Sequence, residues 1–332
     1  MHFVDVDYDE PFYSSDIFDF YFGDARLGVF DIETTGLGAD KAKIVLCGIL
    51  TPSAGGLRVR QFFSEGAHEE AEILDLCRDE ISKLDVLFSF NGDRFDVPFV
   101  DKRLAHHHRL PAFADCLSVD MYRVVRAHSQ LRSVLPNLKQ KTVEDYLGLW
   151  THRSDRISGA DSVYLYYEYL ATKSEKLLQF ILLHNHDDLL QLARILRIFG
   201  KLDLHRIAAH TGFPVKSGEA SAFVENILLR RKSLEFSGRF KSLPFDYIVF
   251  DEAYEVSFQN EEHRFHIRIP CFYESGVTFA DLQALRVEDP EVLRLPGCES
   301  GYLVLRQGSE IHFGAMNRLI KLILQATLAK FR

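Results

Sequence analysis

The sequence predicts an α/β fold, a mixed sheet flanked by helices, followed by a smaller C-terminal α+β domain. Three observations carry this. Apolar, strand-length runs at 27–32, 43–50 and 57–63 precede a helix-spaced stretch at 68–84, a short apolar run at 86–90 and a second helix-spaced stretch at 95–108. Strands alternating with helices in this way make layered α/β structure. The pattern changes after Gly200, where β-rich segments take over. The 332 residues suffice for roughly two domains at about 150 residues each.

Residues 1–25 are rich in Asp, Glu, Phe and Tyr. So many aromatic side chains in an acidic segment predict an arm packed on the first domain. The runs at 43–50 and 57–63 are separated by Pro52-Ser53-Ala54-Gly55-Gly56, so with 27–32 they predict a three-strand meander. Residues 111–148 read as mainly helical with a break at Pro136, and 162–199 as two helices parted near 172–174. Residues 214–218 read as a loop, and 234–240, 247–258 and 264–272 as β-rich segments. Gln307-Gly308-Ser309 marks a hairpin, and 315–331 forms a closing helix with Met316, Leu319, Ile320, Ile323 and Leu324 on one face. These features place the domains at 1–205, with 1–25 as its arm, and 206–332.

Hydrophobic residues make up 47% and charged residues 26% of the chain, a globular balance. No apolar run approaches the roughly 20 residues that cross a bilayer. The start, Met1-His2-Phe3-Val4-Asp5, lacks the basic and apolar regions of a signal peptide. Five widely spaced cysteines without a C-x-x-C pair argue against a disulfide scaffold or structural zinc and for a reducing cytoplasm. The net charge of -9 is opposite to the usual footprint of a nucleic-acid binder, although a local basic stripe can act inside an acidic whole.

Three constellations carry chemistry. Asp31 and Glu33, in Asp31-Ile32-Glu33-Thr34-Thr35-Gly36, stand two apart on a strand and so share a face. Two carboxylates on an apolar strand are costly unless cations compensate, and hard oxygen ligands suit Mg²⁺ or Mn²⁺. Taken alone, the pair also fits a strand end with two solvated acids. Asp96 follows the turn Asn91-Gly92, in the first turn of a helix, where Asp93 or Asp96 could equally be a simple cap. His184 and Asp188, in His184-Asn185-His186-Asp187-Asp188, lie one helical turn apart. They can pair a general base with a metal ligand, or form an exposed polar patch.

Together, the order D-x-E, N-G-x-x-F-D-x-P-F and H-x-x-x-D resembles the DEDD superfamily of 3′→5′ exonucleases, which have a ribonuclease H-like fold. Within it the chain looks similar to the YprB-like exonuclease family, over about residues 27–200 and including the middle stretch Leu135-Pro136-Asn137-Leu138-Lys139 with Thr142-Val143-Glu144. The resemblance implies two-metal phosphodiester hydrolysis with two Mg²⁺ or Mn²⁺ ions held by Asp31, Glu33, Asp96 and Asp188. Its substrates would be single-stranded nucleic acid or 3′ ends of DNA or RNA. Its pattern has Tyr at the fourth position before the last Asp, or His at the fifth. This chain has His184 at the fourth, so His184 either takes the proton of the attacking water or only orients that water. Asp187 would replace Asp188 if the helix phase differed. The backbone at Thr34, Thr35 and Gly36 is placed to approach the terminal nucleotide, and Asn91 either contacts substrate or locks its own turn. A structure-specific endonuclease on the same fold, or a binding module with a lapsed site, are the other readings.

Weaker signals remain. His106-His107-His108 reads as a solvated helix end, and Asp120 as a surface acid rather than a support for the site. Arg230, Arg231, Lys232, Arg239 and Lys241 around Phe236 and Phe240, and Lys139, Lys141, Arg153 and Arg156 on the first domain, suit a strand-binding groove with stacking rings or ordinary solvated surface.

Overall fold

The computed structural model describes residues 1–66, 68–149, 154, 159–241, 243–251 and 253–331, so Arg153 and Arg156 lie outside the described residues. The chain divides into two compact units, one of residues 1–16 and 25–202, the other of residues 17–24 and 203–332. The predicted arm is therefore divided: residues 17–24 group with the second unit.

The first unit runs β1 (His2–Tyr8), α1 (Asp16–Phe22, whose last six residues count with the second unit), β2 (Leu27–Thr34), β3 (Ile44–Ser53), β4 (Gly56–Phe63), α2 (Glu70–Ile81), β5 (Val86–Ser89), α3 (Asp96–His106), β6 (Leu117–Asp120), α4 (Met121–His128), α5 (Leu131–Val134), α6 (Gln140–Tyr146), α7 (Gly159–Thr172) and α8 (Glu175–Ile195). Among the described residues its sheet has six strands in the order β1-β4-β3-β2-β5-β6. The meander β2-β3-β4 is antiparallel, β1 adds antiparallel to β4, and β5 and β6 follow β2 in parallel. β6 falls in the stretch predicted as helical. Its four residues, Leu117-Ser118-Val119-Asp120, are too short to give a period, and their pairing with β5 decides the conformation.

Side-chain alternation sorts the sheet faces. Phe30, Ile32, Cys47, Ile49 and Phe62 pack with Ile73, Leu74 and Cys77 of α2 and Phe99, Val100 and Leu104 of α3. On the opposite face Leu46 and Phe63, with Val45 at the register shift opposite Glu33 and Thr34, meet Tyr166 and Tyr169 of α7 and Leu178, Ile181 and Leu182 of α8. Helices thus cover both faces, which is why β2 and β3 are nearly all buried and read as apolar runs.

The second unit continues with α9 (Leu204–Thr211), β7 (Phe213–Ser217), β8 (Ala220–Leu229), β9 (Ser233–Phe240), β10 (Tyr247–Phe250), β11 (Glu255–Gln259), β12 (Arg264–Pro270), β13 (Phe272–Glu274), β14 (Val277–Asp281), α10 (Pro290–Leu293), β15 (Cys298–Glu299), β16 (Tyr302–Gln307), β17 (Glu310–Ile311) and α11 (Phe313–Leu328). It is more β-rich than the sequence suggested. The expected loop at 214–218 is strand β7, and the β-rich segment expected at 247–258 holds the pair β10 and β11. Among the described residues two sheets result, β10-β11-β12-β9-β8-β7 and β13-β14-β16-β15 with β17 on β16. The Tyr21 hydroxyl lies 2.6 Å from His205 Nδ1 and accepts from Asn317 Nδ2 at 2.8 Å. This buried contact ties residues 17–24 to α9 and α11. Among the described residues no helix is long and apolar enough to cross a membrane.

Candidate functional site

A cleft of about 770 Å³ opens in the first unit. It is lined by Asp31, Glu33, Thr34, Gly36 and Leu37 from β2 and its following loop, Phe90, Asn91, Phe95 and Asp96 around the start of α3, Lys139, Gln140 and Lys141 at α6, Val163 of α7, and His184 and Asp188 of α8. Three separate elements therefore bring Asp31, Glu33, Asp96, His184 and Asp188 into one space.

Each arrives by a simple local cause. Because Phe30 and Ile32 face the α2–α3 core, Asp31 and Glu33 face α8. Asp96 opens α3, and its Oδ1 accepts the Ile32 N–H at 3.3 Å, which fastens the helix start to the middle of β2. On α8, His184 Nε2 lies 3.5 Å from Glu33 Oε1 and 3.7 Å from Asp188 Oδ2. One ligand atom from each of Glu33, His184 and Asp188 falls within 4.8 Å of the others, close enough to share a cation. Asp187 takes a different direction: its Oδ2 accepts the Ser154 N–H at 2.5 Å, and its Oδ1 lies 3.3 Å from His186 Nδ1. The helix phase therefore brings Asp188, not Asp187, to the cleft.

The predicted substrate-contact residues separate. Thr34, Gly36 and Asn91 line the cleft, whereas Thr35 lines a different, smaller pocket with Lys41, Lys43 and Glu70. Its hydroxyl accepts the Lys43 N–H at 2.8 Å and its own N–H donates to Lys43 O at 2.9 Å, so it splices the loop together. The Thr34 hydroxyl donates to Gly36 O at 2.8 Å. Asn91 has the left-handed φ of 66°, which Asn tolerates better than most residues. Its N–H donates at 2.8 Å to Asp120 Oδ1.

Asp120 is 3% exposed, contrary to the surface position expected. It caps α4 through the Tyr122 and Arg123 N–H groups while holding the Asn91 turn. In the histidine run His106 and His108 are exposed as expected, while His107 Nε2 lies 3.0 Å from Glu70 Oε2. Glu70 receives Arg103 Nε and Nη2 at 2.7 and 2.5 Å and the Ile44 N–H at 2.9 Å, and Arg103 also donates to Ala39 O. Burial opposes ionisation of Glu70, but these donors outweigh it and hold the carboxyl below its usual range. The network pins the loop after β2 to α2 and α3. In the second unit Phe236 and Phe240 are each 1% exposed and Arg239 Nε is bound to Glu225 at 2.5 Å. The basic cluster there has no open rings at those positions for bases to stack on.

Support for Asp31 comes from residues the motif reading passed over. Asn185 Nδ2 donates to Asp31 Oδ2 at 2.8 Å and to Asp31 O at 3.2 Å. Asn185 Oδ1 in turn accepts from Gln61 Nε2 at 2.8 Å, and Gln61 also donates to Leu182 O at 2.9 Å. Asn185 is fully buried and Gln61 is 1% exposed. Asp31 pairs across the strands with Gly48, where a Cβ would stand 2.1 Å from Asn185 Oδ1. The missing side chain makes the space in which Asn185 reaches Asp31. The sequence signals were an Asn beside His184 and a Gly inside an apolar strand, which marks a close approach.

The electrostatics are those of crowded acids. Burial, then Asp188, Asp96 and Glu33, push Asp31 well above the usual carboxylate range, against the Asn185 hydrogen bond. Burial raises Asp96 to about 7, opposed by backbone N–H groups, including that of Ile32, and reinforced by Asp120 and Glu33. The donor set and this repulsion fit a hard divalent cation. A consequence for stability follows from linkage. With folded-state pKa values above unfolded ones, the metal-free fold binds extra protons, so Asp96 lowers stability as pH rises from about 4 through about 7 and Asp31 acts in the same direction. Carboxyls held low, such as Glu70, have completed their contribution by pH 5.5. We expect Mg²⁺ or Mn²⁺ to raise the melting temperature more at pH 8 than at pH 5.5. A shift of equal size at both values, measured by thermal unfolding, would remove the acids as the binding groups.

An α/β domain that gathers acids from strand β2, the start of α3 and the long helix α8 into one cleft defines the class. The sequence profile of the RNase_H superfamily matches residues 29–199, just over half of the chain, and the chain belongs to that superfamily with its ribonuclease H-like fold. No curated protein matches the chain. Similar solved structures include exonuclease I, with 12% identity, a TM-score of 0.39 and coverage of 64% of this chain and 55% of that one. Another is the family B DNA polymerase from the hyperthermophilic archaeon Pyrobaculum calidifontis, with 14% identity, a TM-score of 0.41 and coverage of 92% and 46%. The chain spans about half the length of either structure.

Proposed function

We propose that this protein is a metal-dependent 3′→5′ exonuclease of the YprB-like kind, hydrolysing phosphodiester bonds of single-stranded nucleic acid or of DNA or RNA 3′ ends. Residues 1–205 would form the catalytic domain and 206–332 an accessory domain. The observation that carries the reading is the shared cleft of Asp31, Glu33, Asp96 and Asp188 with His184, in a member of the RNase_H superfamily, a setting that suits a nuclease.

In this reading the four carboxylates would hold two Mg²⁺ or Mn²⁺ ions. When bound, such ions supply an acidified water and charge compensation at the leaving 3′ oxygen. The protein's own groups do the rest. His184 Nε2, 3.5 Å from Glu33 Oε1 and 3.7 Å from Asp188 Oδ2, accepts the water's proton. Asn185 keeps Asp31 in position, Asp120 keeps the Asn91 turn in place, and the Thr34–Gly36 loop and Asn91 bound the space for the terminal nucleotide.

The reading is tested with end-labelled single- and double-stranded DNA and RNA, beside covalently closed circles. Release of mononucleotides from free 3′ ends, with circles untouched, is the expected outcome; nicked circles would overturn the exonuclease assignment in favour of an endonuclease. His184→Ala should lower kcat by roughly 10²–10⁴-fold, the span of a general base, and flatten the acid limb of the pH profile. Full activity in that variant would dismiss the role.

A further inference from the structure

The cleft has a charge problem that the catalytic reading leaves open. Its acids repel a polyanion, and ions held by them compensate only near the scissile phosphate. Among the described residues lining it, the lysines are Lys139 and Lys141, on one wall at the start of α6. Both were only generic groove candidates in the sequence.

That wall is locked in place. Asn137 Oδ1 accepts the Lys139 N–H at 3.0 Å and the Thr142 hydroxyl at 2.8 Å, which shapes the turn that presents both lysines. Between them, Gln140 Nε2 donates to Asp188 O at 2.9 Å, fastening the turn to the helix segment that carries Asp188 and His184. The backbone bearing the two ammonium groups is thus registered to the acids by side-chain hydrogen bonds. The motif Leu135-Pro136-Asn137-Leu138-Lys139 gains a physical purpose.

We propose that Lys139 and Lys141 hold a backbone phosphate of the strand next to the scissile one, so that this wall recognises a phosphodiester chain rather than a lone nucleotide. The proposal rests on the nuclease reading of the same cleft. Lysine suits the task as a mobile point charge that reads phosphate without reading base.

The test is binding, which does not depend on turnover. Anisotropy of fluorescein-labelled oligo(dT) and oligo(U) is measured over a NaCl series with Ca²⁺ present, for wild type, Lys139→Ala/Lys141→Ala, and the charge-matched control Lys83→Ala/Lys176→Ala. The double variant should bind about tenfold more weakly, and its dependence of log affinity on log salt should be shallower by about 0.7 to 1.4, the loss of one or two phosphate contacts on a single strand. The control should match wild type. Unchanged affinity and slope overturn the proposal, as does an equal loss in the control, which would reduce the effect to net charge. Absence of binding by wild type overturns it as well. Binding that depends on the lysines without release of nucleotides by the wild type would leave this wall standing and sink the exonuclease reading.

Discussion

Asp31→Asn will abolish nuclease activity to about one part in 10³ or less while making the metal-free protein more stable. Both effects come from the same crowding. Asn keeps the shape of the side chain and can still accept from Asn185 Nδ2, now 2.8 Å from Asp31 Oδ2, so the strand and helix keep their register. It removes a charge that Asp188, Asp96, Glu33 and burial all oppose. Removing such functional strain commonly adds about 1–2 kcal/mol, which for a chain of this size raises Tm by about 2–6 °C.

The pH dependence gives the sign. The gain should be largest near pH 8 and should shrink towards pH 5, because burial and the neighbouring acids raise the Asp31 carboxyl. In the proposed site Asp31 is a metal ligand, whose loss costs several kcal/mol of transition-state stabilisation, and each 1.4 kcal/mol is tenfold in rate. Thermal unfolding with and without Mn²⁺, beside the nuclease assay, reads both. Full activity removes Asp31 from the site. A lower metal-free Tm at pH 8 shows instead that the ionised carboxyl's hydrogen bonds outweigh its repulsion.

How far the sequence reveals this molecule depends on the range of the interactions. The meander, α2, α3, the division of α7 from α8 and the layered α/β class follow from local period and turn residues, which are written in contiguous windows. Asp31, Glu33, Asp96, His184 and Asp188 were legible because each needs a particular residue type at a fixed spacing. Strands β6 and β7 were not, because four- and five-residue strands have no period of their own and owe their conformation to partners, β5 and β8. Thr35 and Thr34 look alike in sequence, and only the return of Lys43 to pair with Thr35 turns one of them away from the cleft. Phe236 and Phe240 sit among basic residues in the chain but point into the core of the second unit. Gln61 and Gly48 carry no motif, and their importance arises from the 121 to 154 residues of sequence separation between the groups they join.

Gly48→Ala tests that hidden support and should be the most disruptive single methyl in the first unit's cleft region. The added Cβ would lie 2.1 Å from Asn185 Oδ1 and 2.7 Å from Leu189 Cδ1, distances no real contact tolerates. Leu189 is fully buried and Asn185 has no exposed surface, so neither can swing into solvent. Either the helix α8 lifts from the sheet or Asn185 abandons both Gln61 and Asp31. Overpacking costs about 1–3 kcal/mol and each orphaned buried polar group about 1–3 kcal/mol, so a loss of roughly 2–4 kcal/mol is expected, with weaker Mn²⁺ binding because Asp31 loses its anchor. A double-mutant cycle separates the two causes. Asn185→Ala alone should bind metal more weakly. Adding it to Gly48→Ala should restore part of the stability by removing the clash, yet leave metal affinity low. Additive losses of stability across the cycle would mean that the glycine does not make room for Asn185; recovery of metal binding in the double variant would mean that the Gln61–Asn185–Asp31 chain does not hold the carboxylate.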